Sequence, residues 1–287
     1  MHPFKFSSLA LIVALSLQAG AQSMPVPATQ TYIGFDANNY PGDEVLPGLR
    51  KQFAFAGYWL TNPPGADHNP WIGKRDLLLR NGFGFLVVAN GRLDKEILKA
   101  QKSGKSPAAF AREDAAIVVA AAEREGFPPG TILFLDQEEG GRLLSEQAAY
   151  LLGWTEAVAG SAYRPGVYAS GQPVSDGKGA DGKPATITTI QDVRARVAAG
   201  QLHEIAFWVA QDACPPANGC SIQSPQPEAS GTLHADAWQY AQSPRRKSIT
   251  QSCGATYNRD GNCYASGLPG FPIDLNVSVS PDPSHGR

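Results

Sequence analysis

The sequence predicts an α/β fold, a TIM-like barrel, on three observations. Eight short runs rich in β-branched and aromatic residues recur along the chain. Segments with helical periodicity separate the early ones. The last two connections, residues 212–234 and 241–271, are instead rich in Pro, Gly and Cys and show no helical period. Strand–helix alternation favours parallel pairing, and eight strands favour a closed barrel over an open sheet. The expected architecture is five βα units followed by three strands joined by irregular, disulfide-pinned loops.

The first 21 residues stand outside that fold. One cation (Lys5), an apolar run over 9–17 and the small residues Ala19, Gly20 and Ala21 make the pattern of a secretory signal peptide cut after Ala21. The apolar run is too short to span a bilayer. No cysteine follows the cut to carry a lipid. Residues 22–29 read as a short linker, 30–280 as one barrel domain and 281–287 as a C-terminal tail. The mature protein is expected to be secreted or periplasmic, monomeric and without a membrane span.

Strand one, 31–35, ends in Asp36, and a short link near 45–52 follows. Strand two, 53–59, runs into a Pro/Gly loop before an amphipathic helix at 71–80. Strand three, 83–88, ends in Asn90, Gly91 and Arg92, and an alanine-rich helix at 112–125 is stopped by Gly126. Strand four occupies 131–135, and the helix at 145–159 takes Ser145 as its N-cap. Strand five, 164–168, ends in Ala169 and Ser170, and 172–186 reads as a flexible surface excursion. Thr189 and Asp192 come close to a capping box for a helix over 189–199 that Gly200 closes. Strands six to eight fall at 204–209, 235–240 and 272–276.

Removing the signal peptide leaves about 265 of 287 residues, enough for a large core. The whole chain carries 24 Lys+Arg against 26 Asp+Glu, net −2, and loss of Lys5 makes this −3. That balance offers no nucleic acid or anionic membrane a reason to bind. The charged fraction of 17% is too low for disorder. Four cysteines, Cys214, Cys220, Cys253 and Cys263, are an even number in an exported chain, so disulfides are expected. Three pairings are possible. The short loops Cys214–Cys220 and Cys253–Cys263 are favoured, because both segments are rich in turn-forming Gly, Pro and Asn. The spacings are not C-x2-C and no histidine accompanies them, which disfavours zinc. No metal or cofactor is expected.

The chemistry points to strand four. Its apolar residues Thr131, Ile132, Leu133, Phe134 and Leu135 end in Asp136, Glu138 and Glu139, with Gly140 and Gly141 behind them. Such a run is a buried strand of a parallel sheet. Charges beside it are costly unless they serve something. Alternation puts Asp136 and Glu138 on one face, roughly 6.6 Å apart at Cα. Glu139 falls on the other face, where a surface or ion-pair role fits better. Paired carboxylates at a strand's C-terminal end are what acid/base chemistry on a sugar requires. Asp36, Tyr58, Tyr168, Gln211, Gln239 and Asp274 also sit at strand ends, and barrel strand ends converge on one face. Each has a plainer alternative: an Asx-turn for Asp36, core packing for Tyr58 and Tyr168, packing instead of a sugar platform for Trp238.

Other chemistries find no support. Five scattered histidines form no HExxH or HxH pair, and no GxSxG elbow occurs. Gly104, Lys105 and Ser106 do not make a P-loop, because Lys99 stands where its first glycine belongs. Asn276, Val277 and Ser278 form a glycosylation sequon, a motif frequent by chance.

An ordered series is more specific than any single motif. GFDANNY, GYWL, FLDQEEG, PGVYAS, FWVAQ, DAWQY and IDLN follow one another across 34–276. In that order they resemble the glycoside-hydrolase-like domains of the DUF1906, or Rv2525c-like, group, which is similar to the family 25 glycoside hydrolases, the lysozyme-type muramidases. The resemblance covers nearly all of the mature chain and implies a (β/α)5β3 barrel. The muramidase Asp-x-Glu falls on Asp136, Gln137 and Glu138, with Glu138 the implied general acid. The strand-one and strand-eight aspartates fall on Asp36 and Asp274, the tyrosine after strand five on Tyr168, and the Trp-Gln-Tyr on Trp238, Gln239 and Tyr240. The second carboxylate of QEE departs from the pattern.

The expected function is an exported glycoside hydrolase acting on a cell-wall glycan, namely peptidoglycan. Glu138 would donate a proton to the leaving oxygen, kept protonated by an apolar, carboxylate-rich pocket. Asp136 would stabilise charge or orient a substrate acetamido group, and Asp36 and Asp274 would position hydroxyls or water. Tyr58, Tyr168, Gln211, Trp238 and Gln239 would bind the sugar. The alternative is a non-catalytic glycan-binding or cell-envelope protein on the same barrel.

Overall fold

The computed structural model describes Met1, residues 30–137 and residues 140–287. The signal-peptide and linker readings for 2–29 therefore lie outside the described residues. The strands are β1 (Tyr32–Asp36), β2 (Phe55–Trp59), β3 (Gly84–Asn90), β4 (Ile132–Gln137), β5 (Arg164–Ser170), β6 (Val174–Lys178), β7 (Pro184–Ile187), β8 (Ala206–Ala210), β9 (Ala237–Ala241), β10 (Cys263–Tyr264) and β11 (Pro272–Ser278). The helices are α1 (Leu46–Arg50), α2 (Arg75–Arg80), α3 (Asp94–Lys102), α4 (Pro107–Arg124), α5 (Ser145–Ala159) and α6 (Thr189–Gly200).

Eight strands close into a barrel in the order β1-β2-β3-β4-β5-β8-β9-β11, with β11 pairing back onto β1. The first seven run parallel. The last, β11, is antiparallel to both neighbours, β9 and β1. Strand alternation divides the side chains. Phe134 and Trp208 sit on strands separated by β5, yet their rings meet at 6.0 Å, so both face the interior. Phe35 packs on Phe53 and Phe83 in the outer layer. No helix among the described residues is long and apolar enough to cross a membrane.

Start signals explain where the structure differs from the expected helices. Helix α4 begins at Pro107, five residues earlier than periodicity suggests, because Ser106 caps it: its Oγ accepts from Ala109 N at 3.2 Å. Ser145 is the first helical residue of α5 and not its cap; Leu144 holds that place, its N–H satisfied by Gln147 Oε1. The capping box of α6 sits one residue earlier than expected, on Thr188 and Gln191. Asp192 is engaged elsewhere, by Arg142 and Arg196. Helix α3 was not legible, since Ile97 is its one buried residue. Within 172–186, expected as a flexible surface excursion, β6 and β7 pair as a largely exposed antiparallel hairpin, with Arg142 bound to Asp176.

The disulfides correct the favoured pairing. They join Cys214 to Cys253 and Cys220 to Cys263. Strands β8 and β9 are neighbours, so the long loops that follow them lie side by side, and the bridges staple one loop to the other. Cross-links over separations of 39 and 43 residues restrain far more of the unfolded chain than bridges within each loop would.

The last residues fold back beneath the barrel. Ser284 N donates to Phe85 O, Ile132 N donates to Ser284 O, and Val87 N donates to Ser284 Oγ, each at 2.8 Å. These bonds pin the starts of β3 and β4, at the end of the barrel opposite Asp136.

Candidate active site

Strand parity decides which strand-end residues meet. Asp36 of β1, Asp136 of β4, Tyr168 of β5, Trp208 of β8, Gln239 of β9 and Asp274 of β11 line one cavity of about 220 Å³. Asp136 lies in register with Asn90 and Tyr168 on its two neighbours. Asp274 reaches the same end by a different route. Because β11 runs antiparallel, its beginning sits at the mouth, with Asp274 directly opposite Asp36. Aromatic walls come from Trp59, Tyr168, Trp208 and Phe271, and among the described residues no Lys or Arg lines the cavity. Asp36 and Asp136 are 7% and 6% exposed, so these charges are held largely away from bulk water.

Two glycines leave the space that these carboxylates need. A Cβ on Gly57 would lie 2.4 Å from Asp36 Cβ, and one on Gly91 would lie 2.0 Å from Asp136 O. Any larger residue at either place would displace the end of a site strand.

A hydrogen-bond network ties the late strands to the early ones. Tyr168 OH donates to Gln239 Oε1 at 2.7 Å. Gln239 Nε2 donates to Asp36 Oδ1 at 3.1 Å and to Asp274 Oδ2 at 3.2 Å, bridging two carboxylates with one amide. Asn276 Nδ2 donates to Asp36 Oδ1 at 2.6 Å, and Trp208 Nε1 donates to Asn276 Oδ1 at 2.8 Å. Ser243 N donates to Asp274 Oδ1 at 2.6 Å.

Further cavities adjoin this one. One of about 330 Å³ shares Asp136 and Pro64 with it and adds Asn90, Gly91, Arg92 and Lys95. Arg92 grips Asp114 through two bonds of 2.8 and 2.9 Å, and Tyr150 OH donates to the same carboxylate. Asp114 holds the Arg92 guanidinium even more firmly charged than usual, while burial and the Asp114 charge push the Tyr150 hydroxyl well above the tyrosine range. On the other flank a cleft shares Tyr168, Gln239 and Gln242 and adds Arg246, which is paired with the buried Asp212.

Three of the expected sugar contacts lie elsewhere. Tyr58 is fully buried in the outer layer, against Trp71, Phe85 and Phe127, and its hydroxyl donates to Glu125. Burial and that carboxylate push the hydroxyl far above the tyrosine range. Trp59, one residue on, is the side chain that faces the cavity. Trp238 is likewise fully buried; its indole donates to Gln211 O and packs on Tyr240. Gln211 is 4% exposed and closes a local turn, accepting from Ala213 N and donating to Gly171 O. Parity is the common reason: Gln239 faces in, so Trp238 and Tyr240 on either side of it face out.

Asn276, Trp208 and Ser243 were missed. Asn276 had a usable signal, because it stands two residues after Asp274 and shares its face. It also opens a sequon, yet it is 0% exposed inside the barrel and unavailable for glycosylation. Among the described residues no group of three or more His, Cys, Asp or Glu could hold a metal ion. Glu138, the expected acid, and Glu139 lie outside the described residues.

A family model described as Rv2525c-like, glycoside hydrolase-like domain matches residues 55–260. No curated protein sequence matches. The fold is similar to that of an uncharacterized B. stearothermophilus protein at 19% identity and a TM-score of 0.52, over 86% of this chain and 95% of the other. It is similar to the Clostridium perfringens spore cortex lytic enzyme SleM at 15% identity and a TM-score of 0.50, over 87% of this chain and 68% of the other. The Mycobacterium tuberculosis Tat-secreted protein Rv2525c, solved with L-tartrate, matches at 15% identity and a TM-score of 0.49, over 88% and 97%.

Proposed function

The chain belongs to the Rv2525c-like, glycoside hydrolase-like domain family, and from that premise we propose that it is an exported glycoside hydrolase that cleaves a cell-wall glycan by carboxylate acid/base chemistry. The observation that carries this reading is the meeting of Asp36, Asp136 and Asp274, from three separate strands, around a single aromatic-walled cavity. Gathering like charges in a half-dry pocket opposes folding, and such arrangements concentrate where chemistry uses them. Export is supported by the two disulfides, which persist in oxidising compartments.

In this reading Glu138, two residues beyond Asp136 in the sequence, protonates the leaving oxygen. Asp136 stabilises the developing positive charge or orients a substrate acetamido group, which gives a substrate-assisted route. Asp274 and Gln239 hold sugar hydroxyls or water. Stacking falls to Trp59, Tyr168 and Trp208 in place of Tyr58 and Trp238.

Peptidoglycan is the first substrate to test, because a spore cortex lytic enzyme shares the barrel. The test is digestion of purified sacculi by wild type and Glu138→Gln, with soluble fragments identified by mass. Wild type is expected to release glycan fragments. Glu138→Gln is expected to lose at least about 10²-fold of that rate while its circular dichroism is unchanged. A wild-type protein that releases no reducing ends from peptidoglycan, chitin or other polysaccharides would sink the reading. Binding without turnover would favour the glycan-binding alternative.

A further inference from the structure

The chemistry of donors fixes the orientation of Asn276. Its side chain is fully buried on β11, between Trp208 and Asp36. An indole N–H can only donate. The Asn276 oxygen must therefore face Trp208, at 2.8 Å, and its amino group must face Asp36, at 2.6 Å. Reversing the amide would set N–H against N–H and oxygen against carboxylate. Gln239 brings a second amide N–H to the same atom, Asp36 Oδ1, at 3.1 Å. Two donors on one oxygen favour the ionised carboxyl over the protonated one, and they act against burial and against the carboxyls of Asp136 and Asp274, which face the same cavity and favour the protonated form. In a buried setting such bonds are stronger than in water.

We propose that Asn276, oriented by Trp208, is a positioning residue that favours the ionised form of Asp36. On the reading given above, in which Glu138 donates the proton, Asp36 then acts as a carboxylate that positions hydroxyls or water and not as the acid. The proton must come from another carboxyl of the site. This also gives Trp208 a task besides walling the cavity: its N–H sets the direction of a chain that ends on the carboxylate.

Carbon-13 NMR of full-length protein labelled at aspartate carboxyls tests this, with Asp36→Asn used to assign the signal. In the wild type the Asp36 signal is expected to hold its ionised position as pH falls through the ordinary carboxylate range. In Asn276→Ala the midpoint should rise by about one pH unit. Trp208→Phe keeps an aromatic ring but loses the donor and part of the buried ring volume, so the midpoint should rise by less, with the thermal melt recorded for both variants. Unchanged midpoints in two folded variants overturn the proposal, whatever the activity. If wild type cleaves peptidoglycan, Asn276→Ala should lower kcat about tenfold, leave KM nearly unchanged and move the acid limb of the pH–rate profile upward. A folded variant that changes KM alone, with the acid limb unmoved, assigns Asn276 a packing role and overturns it as well. A wild type that cleaves nothing defeats the hydrolase reading, while the titration still decides whether Asn276 holds the charge.

Discussion

The two arcs of the barrel hold the mouth of the cavity by different means. From β1 to β5 most connections carry helices, and α4 and α5 lie against each other with Ala111, Ala115, Val118, Leu151 and Trp154 buried. From β8 to β11 the connections have no α-helix. There two disulfides join one loop to the next. The late arc is also wired directly into the site. Ser243 Oγ accepts from Cys263 N at 2.9 Å, and Ser243 N donates to Asp274 at 2.6 Å. Cys263 is in turn bonded to Cys220. A helix holds a strand end by burying an apolar face. A loop with no such face needs covalent and polar ties to hold a side chain equally still.

Breaking the early arc should cost the most. Trp154→Ala removes a fully buried indole from α5 and is expected to destabilise the protein by about 3–5 kcal/mol, read from denaturant unfolding. Molecules that remain folded should keep substrate affinity, since Trp154 does not line the cavity of Asp36, Asp136 and Asp274. Removing Cys214 and Cys253 together as alanines should cost about 2–4 kcal/mol. Here the site should suffer as well, with weaker glycan binding and faster hydrogen exchange in 241–271. If that variant binds as tightly as wild type and its loops stay protected, the staples are not what orders the late arc. Ser106→Ala touches the early arc lightly: loss of the α4 cap should cost about 1 kcal/mol and leave the site unaffected.

The same contrast explains what could be read in the sequence. The early arc was legible because buried strands and periodic helices write their pattern into apolar spacing; all eight barrel strands were anticipated within a few residues. Strand-end carboxylates were legible too, since Asp36, Asp136 and Asp274 each interrupt or end an apolar run. Position at a strand end points to Tyr58 and Trp238, but strand parity turns both outward, and Trp59 and Trp208 face the cavity. The reversal of β11 has no local signature; its pattern of alternation is the same in either direction. Disulfide partners depend on which loops lie side by side, which follows from β8–β9 pairing and not from cysteine spacing.

The hairpin of β6 and β7 belongs to neither arc's method, and it gives the mildest and most specific prediction. It is held by Arg142, which follows the carboxylates of strand four and reaches Asp176 through bonds of 2.6 and 3.1 Å while its third nitrogen meets Asp192 at 3.0 Å. The Arg142 guanidinium holds the Asp176 carboxyl below its usual range. A carboxyl lowered on folding contributes stability that is present above its unfolded value and lost as pH falls through the folded one. Exposed pairs of this kind contribute little, so the barrel should melt as before. Hydrogen exchange over 174–187, corrected for intrinsic rates, should nevertheless quicken in acid before the barrel strands respond. Arg142→Ala should produce the same quickening at neutral pH and remove its dependence on acid. If protection of the hairpin is the same in both proteins at every pH, the cross-strand pairs of β6 and β7 suffice and Arg142 is not the clasp.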